Sequence, residues 1–169
     1  AITYLSGGRI QGSSAAAGTE SDYSQDTGSN DGTGFGNNNV LGNRIGSGNS
    51  LIGKTATKAK FYLKKTSSAV TGTMSGVVYR GDFDGGTPVK VHTFETKTLP
   101  DDLPNTDMAL ITFAGSSFEI QENDGIAVEC NFTGGNSGVN IRVSTSYSNE
   151  AWRHIEYNAV AWSLKTGIA

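Results

Sequence analysis

From residue 57 the chain alternates between apolar and polar positions. Thr57, Ala59, Phe61 and Leu63 stand at the odd positions, and Lys58, Lys60, Tyr62 and Lys64 at the even ones. A period of two marks a strand with one face in the core, whereas a helical period would not keep the lysines on one side. The same pattern predicts strands over Thr73–Arg80, Val89–Thr96, Met108–Phe113, Ser117–Ile120, Gly125–Phe132, Val139–Ser144, Trp152–Tyr157 and Val160–Leu164. Clusters of Gly, Pro, Asn and Asp at 85–88, 100–105, 123–125 and 134–138 supply the turns between them. Strands spaced by roughly ten residues, without an amphipathic helix, predict an all-β fold: an antiparallel β-sandwich of jelly-roll type with an extended N-terminal arm.

Before residue 50 the pattern changes. The tract GSSAAAGTESDYSQDTGSNDGTGFGNNN has Tyr23 and Phe35 as its large apolar side chains. Only Ile2–Leu5 and Val40–Ile45 read as short strands, so the arm reads as strand, long loop, strand. A tract this poor in apolar groups is ordered only when the rest of the domain or a neighbouring subunit holds it. The chain thus divides into an arm over residues 1–50 and a sandwich over residues 51–169.

Composition narrows the partners. With 23 Gly but only 3 Pro among 169 residues, the chain is turn-rich rather than a proline-rich linker. A formal net charge of −3 supplies no basic field for phosphate backbones, so nucleic acid is not an expected partner. No apolar run approaches the roughly 18–20 residues of a membrane span. Cys130 is the single cysteine and alternates with Val128 and Phe132, which places it in the core and leaves no internal disulfide or structural zinc site.

Several motifs suggest chemistry. Gly48-Asn49-Ser50-Leu51-Ile52-Gly53-Lys54-Thr55 satisfies the phosphate-binding pattern GxxxxGK[ST], but that loop belongs between a buried strand and a helix, and here an alternating strand follows. Asp26 and Asp31 in the Gly-rich tract, and Asp82 and Asp84 before Gly85-Gly86, are weak calcium candidates without EF-hand spacing. There is no GxSxG, and no motif ties His92 or His154 to a nucleophile and a carboxylate. Both histidines read as strand residues, and neither a catalytic residue nor a cofactor is expected. The sequon Asn131-Phe132-Thr133 is weak, because Phe132 reads as inward-facing.

The successive stretches LIGKTATKAKFYLKKTSSAVTGTMSGVVY, LITFAGSSFEIQENDGIAVEC and NFTGGNSGVNIRVSTS, closed by a Trp-containing hairpin, resemble jelly-roll modules in surface and virion proteins of archaea, bacteria and their viruses. Relatives in that group are labelled choice-of-anchor domains. The resemblance covers residues 50–169 and carries no shared catalytic site. It implies a non-enzymatic, self-assembling structural protein of a virion, an extracellular filament or a cell surface. Its partners would be copies of itself and other virion or surface proteins. In that reading Ile2, Tyr4, Leu5 and Ile10 anchor the arm on a neighbour. Lys58, Lys60 and Lys64 meet acids on the next copy, such as those at 82–107 and 119–129. The alternative is a carbohydrate-binding module in which Trp152, Tyr157 and Trp162 form an aromatic platform for a glycan.

Overall fold

The structure, a computed structural model, describes residues 2–5, 8–12, 21–24, 29–35, 39–65, 70–99, 101–104, 107–133, 139–144 and 152–164. For residues 2–34, 140–144 and 152 only the backbone is described. The strands in chain order are β1 (Ile2–Leu5), β2 (Gly8–Gly12), β3 (Ser21–Ser24), β4 (Ser29–Gly34), β5 (Val40–Ile45), β6 (Thr55–Lys65) and β7 (Gly72–Arg80). They continue with β8 (Val89–Leu99), β9 (Ala109–Glu119), β10 (Asp124–Phe132), β11 (Val139–Ser144), β12 (Trp152–Tyr157) and β13 (Trp162–Leu164). All regular structure among the described residues is strand. Among them, no helix is long and apolar enough to cross a membrane.

The strands form two sheets. One has the order β13-β12-β5-β10-β7-β8 and is antiparallel throughout. The other is built on β6: β9 lies along one edge, and β2 and β11 share the other, with β1 and β3 beyond β2 and β4 beyond β11. Among the described residues its one parallel pairing is β1 with β3. The pairs β5–β12, β6–β11 and β7–β10 are nested in sequence around the β8–β9 connection, as when one long hairpin is rolled up. The fold is therefore the antiparallel β-sandwich of jelly-roll type that the period-two pattern predicts.

The two inner faces meet in one core. Leu41, Ile45, Met74, Val78, Ile126, Val128 and Cys130 of one sheet face Ala59, Phe61, Leu63, Phe113 and Val139 of the other. Phe61 and Phe113 sit edge to face at 5.9 Å, and Phe35 and Phe132 at 6.0 Å. Each such ring stabilises the fold by about 1.5–3 kcal/mol through burial.

Three features depart from the alternation. In β6 the buried residue near the start is Ala56 rather than Thr57, because a bulge between Ala56 and Lys58 in the β9 pairing shifts the face by one residue. Met108–Phe113 and Ser117–Ile120, which read as two strands, run as the single strand β9. The expected long loop of the arm contains β2, β3 and β4, strands held by backbone pairing, for which Gly, Ser and Asn give no period-two signal. The composition change near residue 50 falls inside the sandwich, since β5 lies between β10 and β12.

The outer face of the β5–β10 sheet carries a second apolar cluster. Phe83, from the loop after β7, and Trp162, from β13, lie over Val40, Val77, Ala127 and Ile155. Gly125 makes the space: a Cβ there would come within 2.4 Å of Phe83 Cζ and 2.5 Å of Ile155 Cδ1. At the adjoining end, Asp124 is fully buried. It accepts hydrogen bonds from Arg80 Nε (2.6 Å) and Nη2 (2.9 Å) and from the Gln121 backbone N–H (2.8 Å).

Candidate functional site

The phosphate-loop lookalike is a closed turn. The Gly53 N–H donates to the Ile120 carbonyl (2.8 Å) and the Lys54 N–H to the Leu51 carbonyl (2.9 Å). The Asn49 side chain accepts the Leu51 N–H at 2.9 Å. A phosphate nest needs such N–H groups converging on one anion. Here they bond within the protein, and β6 follows where a helix would have to start.

The Asp82–Gly86 loop is likewise closed on itself. Asp82 Oδ1 accepts the Asp84 N–H at 2.8 Å in an Asx turn, and Asp84 is exposed. Among the described residues no group of three or more His, Cys, Asp or Glu is placed to hold a metal. Asp31 lies on β4, whose backbone alone is described, and Asp26 lies outside the described residues. His92 on β8 and His154 on β12 are separated by β7, β10 and β5.

The aromatic residues read as a sugar platform are arranged differently. Trp162 is the register partner of Tyr157 and is only 8 % exposed. Tyr157 stacks at a tilt on it (5.0 Å), and Tyr79 (4.6 Å) and Phe83 (5.2 Å) meet it edge-on. An indole covered in this way offers no open face to a pyranose ring. Trp162 is thus corrected from a binding surface to a core residue, because the outer face of the sheet is itself packed. Trp152 of β12 is the register partner of Ile45, and its side chain is not described. Tyr79 and Phe83 were missed because only the register of β7 and β10 brings them under Trp162.

The charged groups are partly committed within the chain. Lys58, Lys60 and Lys64 share the outer face of β6 with Tyr62, all half-buried. Of the acids expected to answer them on another copy, Asp124 holds Arg80, and Glu129 holds both Tyr79 Oη (2.9 Å) and Lys90. Burial and the neighbouring Glu129 carboxylate together push the Tyr79 phenol well up from its ordinary pKa. Glu95 accepts the Ala114 N–H (3.1 Å) and Lys97 Nζ (3.0 Å), which hold its carboxyl below the usual range. Asp84, Asp101, Asp107, Glu119 and Glu122 are exposed. A cleft of about 490 Å³ opens beside Arg44, Arg80, Asp82, Phe83, Glu122 and Asn123. Inside it Arg44 Nη1 reaches Asn123 Oδ1 at 3.5 Å.

The strands before β5 meet the rest of the sandwich at two places. β4 pairs with β11 through four register pairs interrupted by one irregularity. β1, β2 and β3 pair with one another, Ile2–Leu5 against Gly8–Gln11 and Arg9–Gly12 against Ser21–Ser24. This three-stranded unit lies alongside β6 through β2, with Gly8 opposite Phe61 in the ladder. The positions of the predicted anchors follow: Ile2, Tyr4 and Leu5 are on β1 and Ile10 on β2. Compared with protein-family models, curated proteins and solved structures, the chain matches none.

Proposed function

We propose that the protein is a self-associating structural module, a subunit of a virus-particle surface or an extracellular filament, whose N-terminal arm exchanges between copies. The observation that carries this reading is that the β1–β3 unit joins the sandwich by strand pairing: β1, β2 and β3 pair with one another, and β2 lies along β6 with Gly8 opposite Phe61. The β6 edge of a neighbouring copy offers the same partners, so exchange is set by concentration and linker length rather than by new contacts. Main-chain pairing supplies the grip, and the lysines on β6 steer the exposed carboxylates of another copy into register. The resemblance of residues 50–169 to surface and virion modules supports the setting.

The test is mass by light scattering across concentration, with negative-stain electron microscopy, on the intact chain and on a chain lacking residues 1–24. The intact chain is expected to form regular particles or filaments. The shortened chain, with its near-ultraviolet circular dichroism retained, is expected to stay monomeric. A truncated protein that assembles normally, or an intact protein that is monomeric at every concentration, overturns the proposal.

A further inference from the structure

The two sheets touch edge to edge at one corner, where β8 ends the first sheet and β9 flanks β6 in the second. Lys97 Nζ of β8 lies over the Phe113 ring of β9 at 5.8 Å, and three closer contacts hold this corner. Gly115 of β9 lies so close to β8 that a Cβ would fall 2.7 Å from both Cα and O of Phe94. Glu95 of β8 accepts the Ala114 N–H at 3.1 Å. His92 of β8 lies over β9, its imidazole stacked on Phe118 (4.9 Å, 27°), edge-on to Phe94 (4.5 Å), and donating to the Ser116 backbone. Its other nitrogen, Nε2, is buried and makes no hydrogen bond.

We propose that this corner is an acid-released seam: protonation of His92, followed at lower pH by Glu95, parts β8 from β9 and frees the edge backbones of both strands. The chemistry follows from the contacts. With Nδ1 donating to Ser116, an added proton must sit on Nε2, between two phenyl rings and without an acceptor. The same Phe118 ring also carries the Arg80 guanidinium, 5.4 Å from its centroid. The remaining charged groups around the seam do not offset this. On β8, Lys90 is engaged by Glu129, and Lys97 is engaged by Glu95, whose carboxylate is turned to Ala114. On β9, Glu119 acts on Arg80, which Asp124 already holds.

The sign agrees. Burial holds His92 below its ordinary pKa, with the Ser116 backbone opposing the shift. The unfolded or opened chain therefore binds the proton more readily, and the seam weakens as pH falls below about 6.5. Glu95, held below the carboxylate range by Ala114 and Lys97, loses its hold at still lower pH. Freed β8 and β9 are each 11 residues long, and unpaired edges of that length are templates for another strand. The inference does not depend on arm exchange.

The test is hydrogen exchange of the intact chain at pH 7.5 and pH 5.5, corrected for intrinsic rates, with a proton-NMR titration of His92. Residues 92–96 and 113–117 are expected to lose protection by about tenfold on acidification, one pH unit of proton linkage, while the central β5–β10 pairing does not change. In His92→Gln the difference between the two pH values is expected to vanish. Equal protection of the seam at both pH values, an unchanged response in His92→Gln, or a His92 pKa at or above 6.5 would overturn the proposal. The titration stands even if His92→Gln fails to fold.

Discussion

Replacement of Asp124 tests most directly how the end of the sandwich is held. Both carboxylate oxygens are in use: Oδ1 on Arg80 Nε at 2.6 Å, and Oδ2 on Arg80 Nη2 at 2.9 Å and the Gln121 N–H at 2.8 Å. In Asp124→Asn one oxygen remains, and whichever way the amide turns its NH₂ faces a donor. Removing one member of a buried ion pair costs about 3–5 kcal/mol. Arg80 keeps 33 % of its side chain exposed and rehydrates in part, so the lower end applies, roughly 3 kcal/mol. For a chain of this size that corresponds to a fall in Tm of about 6–12 °C. The loop is loosened as well, because Asp124 fixes the Gln121–Asp124 turn, in which Asn123 has φ of 66° and donates its N–H to the Ile45 carbonyl. Urea unfolding at pH 7, followed by circular dichroism, reads the change as a shift in midpoint at constant m-value. Arg80→Met combined with Asp124→Asn should recover part of the loss, since no uncompensated charge is left. A single variant within about 1 kcal/mol of the parent, or strictly additive single and double variants, would refute the account.

Two other substitutions follow from packing. Gly125→Ala pushes a methyl into Phe83 and Ile155 and should destabilise by about 1–3 kcal/mol. In a Phe83→Ala background the same change should cost clearly less, and equal losses in both backgrounds, measured by urea unfolding, would disprove the clash. Cys130 is buried, and burial together with Glu129 pushes its thiol pKa far up. It should therefore resist a thiol-reactive dye at pH 8 in the native state and react at once in denaturant; rapid native labelling would contradict its place in the core.

Legibility differed between the parts of the candidate site. The lysine face of β6 was visible as alternation, because a strand turns every second side chain the same way whatever its neighbours are. The attachment of the arm was not visible. β2, β3 and β4 are built from Gly, Ser, Asn and Asp, and they are strands through the backbone groups they share with β1, β6 and β11. The aromatic residues were found as a group, but whether their face is open or covered was not visible. Period two says which residues share a face of β12, and it does not say that Phe83 and Trp162 roof that face.

The amino-acid order by itself determined the all-β class, the places of most sandwich strands, and the burial of Ala59, Phe61, Leu63, Val128 and Cys130, since all of these rest on local periodicity and turn chemistry. The tertiary structure alone decided the bulge that turns Ala56 inward and the insertion of β5 between β10 and β12. It also decided the pairing of Arg80 with Asp124, 44 residues away, and the use of the Ile120 carbonyl to close a loop that reads as a phosphate site. These depend on which distant strand lies alongside. Register and partner are set by the summed packing of both sheets, and no short window of sequence carries that sum.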